Sequence, residues 1–269
     1  MDYIIADEIV LPLYSQPYYT EKIVHLPGCY QVNDRKRAIQ AGTSTRAEAG
    51  LPLQQFVFCC FNNNWKITPA VFDVWMRLLH AVDGSVLWLL SDNKHAERNL
   101  RHEAAARGID SSRIIFADRT DLEEHLARHR MADLFLDTIP YNAHTTASDA
   151  LWAGLPVVTC QGQTFAGRVA SSLLHSIDLS ELVTHSMQEY ELLAMRLAQD
   201  PKLLRTYRDR LAENRLTCPL FDTDRFRRHI ESAYRRMWEL WQAGEKPKSF
   251  AVAAIADDHT PAASVFRPN

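Results

Sequence analysis

The chain has 269 residues, of which 46% are hydrophobic, enough to bury one large or two modest globular cores. Its formal net charge is -3, so it lacks the broad positive field on which non-specific nucleic-acid binding depends, and we expect no nucleic-acid partner. The five cysteines are scattered and contain no C-x-x-C pair, a pattern typical of reduced thiols in a cytoplasmic protein. Because no apolar run approaches the roughly 20 residues that span a membrane, we expect neither a membrane anchor nor a signal peptide.

The first 50 residues differ in kind from the rest of the chain. Residues 3–6 and 22–25 predict two short strands separated by a loop rich in proline and tyrosine, while residues 33–50 are polar and show no apolar period. Two short strands cannot bury a core alone. We therefore expect residues 1–50 to be the remnant of an earlier domain followed by a linker.

From Phe56 onward, short apolar runs alternate with helical patterns. The predicted strands are residues 56–61, 85–91, 113–117, 133–137 and 155–160. These strands carry apolar side chains on consecutive positions, as in residues 86–90, so helices should cover both faces of the sheet. The alternation predicts an α/β fold with a doubly wound, Rossmann-like parallel sheet.

Helical patterns lie between these strands and dominate after Cys160. The predicted helices are residues 71–81, 96–107, 122–129, 146–153, 165–175, 187–198, 201–215 and 223–242. Pro69 near a helix start and Gly108 past a helix end are the expected punctuation. The last helix carries a broad aromatic stripe that favours core packing, and the sequence beyond it has no sustained period. We expect one domain over residues 51–243 and a flexible tail over residues 244–269.

The loop after the strand at residues 56–61 is a candidate phosphate site. In an open α/β sheet, ligands bind outside the carboxyl ends of the strands. This strand runs into three asparagines and Lys66 just before a helix. A lysine there can meet a phosphate as a point charge, and the Asn63 amide can donate to phosphate oxygens. The alternative is an ordinary asparagine-rich turn with a solvated lysine.

A second candidate follows the strand that ends at Asp137. The chain continues to His144, Thr145 and Thr146, which open the next predicted helix. Free backbone N–H groups and the positive end of the helix dipole attract an anion such as a diphosphate. Asp149 lies one turn after Thr145 on the same face, where its carboxylate can accept hydrogen bonds from ribose hydroxyls. The alternative, which is compatible, is that a threonine caps the helix and Asp149 lies in a favourable first turn.

Two further loops should open on the same side of the sheet. His125 follows the strand that ends at Ala117 and is a candidate ligand contact, the alternative being a surface or packed residue. The segment from Gln161 to Arg168 follows the last predicted strand and places Arg168 near a helix start. The alternative role of this segment is a capping turn that a glycine permits.

Several classes of site are absent from the sequence. No G-x-G-x-x-G follows a strand, and no G-x-x-x-x-G-K-[ST] loop occurs, so the dehydrogenase and P-loop motifs are missing. The eleven histidines show neither H-E-x-x-H nor clustered Cys/His spacing. We predict no metal and no cofactor.

Three segments of the sequence carry a resemblance to a known family. Residues 58–69, 123–125 and above all 136–156, with the sequence Tyr-Asn-Ala-His-Thr-Thr, closely resemble the O-GlcNAc transferase family; shorter matches lie at residues 2–7, 165–170 and 218–222. The resemblance covers nearly everything from Asp2 to about Gly244 and is strongest to the bacterial members that carry tetratricopeptide repeats. It implies the second Rossmann-like lobe of a GT-B glycosyltransferase with C-terminal helices, a remnant of the first lobe, and UDP held between the lobes.

The resemblance also implies a reaction and a set of residue roles. The reaction is inverting, metal-independent transfer of N-acetylglucosamine from UDP-GlcNAc to Ser/Thr hydroxyls of proteins. The implied contacts are Lys66 and Asn63 to the diphosphate, His144, Thr145 and Thr146 around it, Asp149 to the ribose, and His125 and Arg128 to the uridine. Lys66 is the catalytic candidate, because charge grows on the departing UDP and a metal-free site needs a cation there.

The sequence departs from the family in two respects. Leu122 stands where the animal members carry a lysine, so contacts to the base are expected to differ. The tetratricopeptide repeats and most of the first catalytic lobe have no counterpart in the sequence, so we expect them in a longer parent or in a partner. Two alternatives stay open: a truncated, non-catalytic module that binds UDP or UDP-GlcNAc, and another UDP-sugar enzyme of this fold such as an epimerase, which fits the fold but not the long motif.

Overall fold

A computed structural model describes residues 1–42 and 45–255. In that part of the chain the strands are β1 (Tyr3–Ala6), β2 (Lys22–His25), β3 (Val57–Cys60), β4 (Val86–Leu90), β5 (Ile114–Ala117), β6 (Leu134–Leu136), β7 (Val157–Cys160), β8 (Val183–Thr184) and β9 (Phe250–Ala251). The α-helices are α1 (Pro69–Ala81), α2 (Lys94–Ala106), α3 (Leu122–Arg128), α4 (Thr145–Trp152), α5 (Val169–Ser176), α6 (Met187–Gln199), α7 (Pro201–Thr217) and α8 (Thr223–Gln242). Each predicted strand and helix is present with its ends shifted by a few residues, and β8 and β9 are additions.

The large sheet is parallel and doubly wound, as predicted. Its strand order is β5-β4-β3-β6-β7-β8. The first strand of the domain, β3, lies in the centre, where Phe58 is paired with Leu87 of β4 on one side and with Leu134 of β6 on the other. The chain therefore reverses its direction of winding between β3 and β6, and the crevice at the carboxyl ends of these two strands is where such folds bind ligands.

The core of this domain lies on both faces of the sheet. All four residues of β3 and of β7 are buried, as expected for strands covered by helices on both sides. Helix α1 begins at Pro69, after Thr68, whose side chain accepts a hydrogen bond from the Val71 N–H. The helix buries Trp75, whose indole donates to the Tyr190 hydroxyl of α6 at 3.2 Å, so α1 and α6 cover one face together.

A second, smaller sheet joins the two ends of the described chain. Its order is β1-β2-β9, all parallel. Phe250 and Val252 pack with Val24 and Leu26 against α8. The prediction of a flexible tail over residues 244–269 is therefore wrong for β9, because Phe250 and Val252 pack on this sheet. The strand has only two residues, too few to show an apolar period in the sequence. Residues 256–269 of that predicted tail lie outside the described residues.

The aromatic stripe of α8 is only partly buried. Phe226, Ile230 and Met237 pack on the small sheet, whereas Trp238 and Trp241 are 55% and 68% exposed. The prediction of core packing is wrong for these two tryptophans, because they lie outside the cluster that α8 forms with the small sheet. Among residues 1–42 and 45–255, no helix is long and apolar enough to cross a membrane.

The polar segment expected to be a linker is tied to the large domain. The Arg46 guanidinium donates to the Met131 carbonyl at 2.9 Å and pairs with Asp133 at 2.8 Å. Upstream, the Asn33 amide donates to the Leu220 carbonyl at 3.1 Å. These bonds hold the chain against the domain even though the sequence between them shows no period.

Candidate nucleotide site

The start of α4 opens into the crevice between β3 and β6. His144 precedes the helix and makes no side-chain capping bond, and the first helical bond runs from the Ser148 N–H to the His144 carbonyl at 3.1 Å. The N–H groups of the preceding first turn, those of Thr145, Thr146 and Ala147, have no carbonyl to reach within the helix. Together with the helix dipole they make this edge of the crevice electropositive, and the anion site that the sequence predicts there stays a prediction.

Lys66 lies beside that helix start. A short 3-10 turn (Asn64–Lys66) after β3 carries it. Its ammonium donates to the Asn142 carbonyl at 2.8 Å, two residues before His144, and lies 4.1 Å from the centre of the Tyr141 ring. Tyr141 in turn stacks on His144, with ring centres 4.9 Å apart. The structure therefore brings together Lys66 and the start of α4, as the sequence predicts.

Burial and nearby charges shift the pKa values of Lys66 and His144. Burial lowers the pKa of Lys66, while the charges of Asp137 and Cys60 oppose that shift. Burial also lowers the pKa of His144, and the nearby Lys66 ammonium lowers it further. His144 is therefore neutral near pH 7, so one of its ring nitrogens can donate and the other can accept.

The loop that leads to His144 is closely covered by the segment after β7. His144 Nε2 lies 3.4 Å from the Ala166 carbonyl. Gly167 passes so near the loop that an added Cβ would lie 2.8 Å from the Pro140 carbonyl oxygen, which explains why a glycine is needed there. Arg168, considered as a ligand contact, instead donates to the Ile9 carbonyl at 2.6 Å, so its guanidinium is used to fix the N-terminal segment.

Thr146 and Asn63 contribute in different ways. The Thr146 hydroxyl donates to the Asn62 side-chain oxygen, and the Asn62 amide donates to the Thr138 hydroxyl at 2.8 Å. Thr146 thus fastens α4 to the end of β3 and offers a ligand its backbone N–H. Asn63 is exposed and makes no capping bond in the turn that follows it, so its amide is available at the crevice. Asn62, next to it in the asparagine run, was not singled out from the sequence.

Asp149 is held by a residue from the N-terminal segment. Its side chain forms an ion pair with Arg37, and the residue is 7% exposed. The Arg37 carbonyl also accepts from the Trp152 indole at 3.1 Å. Burial raises the pKa of Asp149, and the Arg37 charge opposes that shift. A ribose contact at Asp149, the role expected from the sequence, therefore requires that Arg37 give up or share the carboxylate.

His125 and Arg128 lie on one helix but face different surroundings. The His125 ring packs edge-on against Phe61 at 5.5 Å and against His129 at 4.9 Å, and burial lowers its pKa to about 4. Arg128 is 7% exposed and donates to the Asp118 carbonyl at 2.8 Å. Arg128 also lines a cavity of about 350 Å³ at the ends of β4 and β5. His125 is thus half-buried against aromatic rings, and Arg128, although buried, is one of the residues that line the cavity.

Comparison with known proteins identifies the family to which these site residues belong. The model of glycosyl transferase family 41 matches residues 37–230, a stretch that contains all eight predicted site residues. This chain belongs to glycosyltransferase family 41. Because the match begins at Arg37, both partners of the Arg37–Asp149 pair lie inside the matched region. The resemblance to the O-GlcNAc transferases is thereby confirmed.

Individual relatives of this family 41 chain agree. It is 40% identical over 258 residues to the probable UDP-N-acetylglucosamine–peptide N-acetylglucosaminyltransferase SEC of Arabidopsis thaliana, covering 94% of this chain and 26% of that protein. It is 38% identical over 201 residues to the UDP-N-acetylglucosamine–peptide N-acetylglucosaminyltransferase of Caenorhabditis elegans, covering 75% of this chain and 18% of that protein. Among solved structures, a mutant O-GlcNAc transferase of Thermobaculum terrenum superposes with a TM-score of 0.81 at 32% identity, covering 91% of this chain and 46% of that one. The chain spans about a quarter or less of the two curated relatives.

The family 41 site shows no metal centre in the part of the chain that is described. Across residues 1–42 and 45–255, no three histidine, cysteine, aspartate or glutamate side chains come together as a group of metal ligands. The absence of a metal from the reaction stays a prediction. Lys66 and the start of α4 offer positive charge to a ligand at the crevice.

Proposed function

We propose that this chain is the donor-binding lobe of an enzyme that transfers N-acetylglucosamine from UDP-GlcNAc to serine and threonine hydroxyls of proteins. The observation that carries the proposal is the Lys66 ammonium held 2.8 Å from the Asn142 carbonyl beside the open start of α4. The names of the curated relatives, which describe peptide N-acetylglucosaminyltransferases, support the donor and the acceptor class.

The diphosphate would lie on the first turn of α4. There it would accept hydrogen bonds from the backbone N–H groups of Thr145 and Thr146. Lys66, whose ammonium carries three donors, would keep its bond to the Asn142 carbonyl and donate in addition to a phosphate oxygen in a charge-assisted hydrogen bond. Neutral His144 and exposed Asn63 add donors at the same edge. This arrangement holds two negative charges without a metal ion.

Lys66 is the proposed catalytic residue. When the bond between the sugar and the β-phosphate breaks, negative charge accumulates on the departing UDP. A cation already fixed near that oxygen stabilises the transition state more than the ground state. Transfer is proposed to be direct and therefore inverting, with the acceptor hydroxyl attacking from the face of the sugar opposite the diphosphate.

The nucleoside would extend from α4 towards α3. Asp149 would accept from the ribose once Arg37 releases it, and Arg128 would border the uridine through the cavity that it lines. His125 would contribute a neutral ring edge. Leu122, half exposed in the first turn of α3, adds apolar rather than charged surface there.

Titration calorimetry with UDP tests the proposal. Lys66→Ala should weaken binding by about tenfold or more, because it removes a charge-assisted hydrogen bond from the diphosphate. Lys202→Ala, which removes an exposed lysine from the first turn of α7, is the matched control and should bind as the unaltered chain does. Equal affinities for the two variants would remove Lys66 from the site.

The alternative is a module that binds UDP or UDP-GlcNAc without catalysing transfer. The match covers 26% of the Arabidopsis relative, and the first lobe and tetratricopeptide repeats are proposed to act as further parts or partners. Incubation with UDP-GlcNAc and a Ser/Thr peptide separates the two, because only the enzyme adds the mass of one sugar. The scattered free cysteines support a cytoplasmic location as part of the proposal.

A further inference from the structure

Asp137 is a fully buried carboxylate at the carboxyl end of β6. Its Oδ1 atom accepts from the N–H of Thr138 at 2.7 Å and from the N–H of Ala143 at 2.5 Å. Its Oδ2 atom accepts from the Thr159 hydroxyl of β7 at 2.6 Å. Residues 138 and 143 are the two ends of the loop before His144, so one carboxylate oxygen joins both ends of that loop.

The loop closed by Asp137 is the one that holds Lys66. Within it the Asn142 amide donates to the Thr138 carbonyl at 3.0 Å, and the Asn142 carbonyl accepts from the Lys66 ammonium at 2.8 Å. The Asp137 carbonyl itself accepts from the Tyr190 hydroxyl of α6 at 3.0 Å. The Tyr190 hydrogen bond therefore fixes the backbone of Asp137. The Asp137 side chain influences the position of Lys66 through the loop and Asn142.

Burying a charged carboxylate costs free energy unless hydrogen-bond donors and a nearby cation stabilise it. Burial raises the pKa of Asp137 to about 7, opposed by the Thr159, Ala143 and Thr138 hydrogen bonds and by the charge of Lys66. In the reverse direction, the charge of Asp137 raises the pKa of Lys66 against the effect of burial. Each group thus favours the charged form of the other.

Besides Lys66, four other titratable side chains lie on the elements around Asp137. Burial raises the pKa of Cys60 in β3, of Cys160 in β7 and of Tyr190 in α6. Burial lowers the pKa of His144. All four are therefore neutral near pH 7, which leaves Asp137 as the group in this cluster that changes its charge there.

We propose that Asp137 is a positioning residue of the nucleotide site, whose carboxylate closes the loop over residues 138–143 so that Asn142 and the start of α4 hold a protonated Lys66 against the diphosphate. This inference rests on the proposed function, because it assigns Asp137 a part in the binding of UDP. Asp137 is buried beneath the loop and acts through Asn142 and Lys66 without touching the ligand.

Asp137→Asn tests the inference by UDP titration. Asparagine keeps the shape of the side chain but removes its charge. It also has a single acceptor oxygen, whereas the loop N–H groups and the Thr159 hydroxyl donate to two different oxygens of Asp137. We expect UDP affinity at pH 8 to fall about 10- to 100-fold, as for loss of hydrogen bonds to a charged group, with the thermal unfolding transition retained. The control is Asp83→Asn, an exposed residue before β4, which should bind UDP as the unaltered chain does.

The dependence on pH separates positioning by charge from a merely structural role. The ratio of affinities between the unaltered chain and Asp137→Asn should shrink towards one from pH 8 to pH 6, because Asp137 gains its proton in that range; titration of UDP itself cancels in the ratio. Thr159→Val removes one donor and raises the Asp137 pKa further. The loss of affinity on acidification should then begin at a higher pH than in the unaltered chain.

The outcomes are distinct. Asp137→Asn binding UDP as tightly as the unaltered chain at pH 8, or a ratio that is constant from pH 6 to pH 8, overturns the inference. If Asp137→Asn does not fold, Thr159→Val decides, and an unmoved pH profile overturns it. An unaltered chain that binds no UDP overturns the proposed function, and this inference with it.

Discussion

Arg37 and Asp149 form a largely buried ion pair although 112 residues separate them in the sequence. The pair fixes the polar segment after residue 33 on α4. Removing one partner of such a pair leaves the other charge desolvated and unpaired, which typically costs about 3–5 kcal/mol. We expect Arg37→Ala to lower the free energy of unfolding by an amount of that order, measured by urea denaturation.

Arg227→Ala is the matched control for this prediction. Arg227 pairs with Glu231 on the exposed face of α8, where solvent screens the charges, so its removal should cost much less. If the two variants lose equal stability, the Arg37–Asp149 pair is not a buried anchor of the polar segment. Combining Arg37→Ala with Asp149→Asn should recover part of the loss, since no charge is then left unpaired.

His125 and His129 should make the free energy of unfolding decrease at acidic pH. Burial lowers the pKa of His125 to about 4 and that of His129 to about 3. Their folded-state pKa values lie below the unfolded value, so their contribution is complete above about pH 6.5 and is lost as pH falls towards 4. Each histidine contributes a slope of about 1.4 kcal/mol per pH unit across that range.

The measurement is urea denaturation at several values of pH for the unaltered chain and for His129→Asn. The difference between their slopes isolates the histidine from Asp137, whose raised pKa acts in the opposite direction. Gln54→Ala, at an exposed position before β3, is the control and should leave the slope unchanged, because it removes no titratable group. A His129→Asn slope equal to that of the unaltered chain would show that His129 is not kept neutral by burial.

Gly167→Ala should disturb the loop that leads to α4. The added Cβ would lie 2.8 Å from the Pro140 carbonyl oxygen and 3.3 Å from the Gly162 Cα, and both neighbours are backbone. Overpacking of this kind typically costs about 1–3 kcal/mol, and we expect UDP affinity to fall as the loop shifts. Thermal unfolding and UDP titration check the two effects, and an alanine variant with unaltered stability would contradict the close approach.

The sequence was sufficient for the parts of the site that follow from sheet topology. Lys66 and His144 were expected to meet because they follow the carboxyl ends of two parallel strands, and β3 and β6 are neighbours in the structure. Those strands were recognisable because buried parallel strands carry consecutive apolar residues. The local pattern thus led directly to the spatial arrangement.

Other contacts leave no local pattern. Arg37 lies in a stretch without periodicity, so its pairing with Asp149 could be found only from the folded chain. Strand β9 has two residues, too few to alternate. Asn62 stands beside Asn63 in a run of identical amides, and only the strand geometry turns the first inward to Thr146 and leaves the second exposed.

A crystal structure of the chain with UDP tests the central claim most directly. The diphosphate should lie on the first turn of α4, with phosphate oxygens within about 3 Å of the Lys66 ammonium and of the backbone nitrogens of Thr145 or Thr146. The Asn142 carbonyl should still accept a hydrogen bond from Lys66. A diphosphate bound away from α4, or a Lys66 ammonium that donates to no phosphate oxygen with UDP in place, would contradict the account.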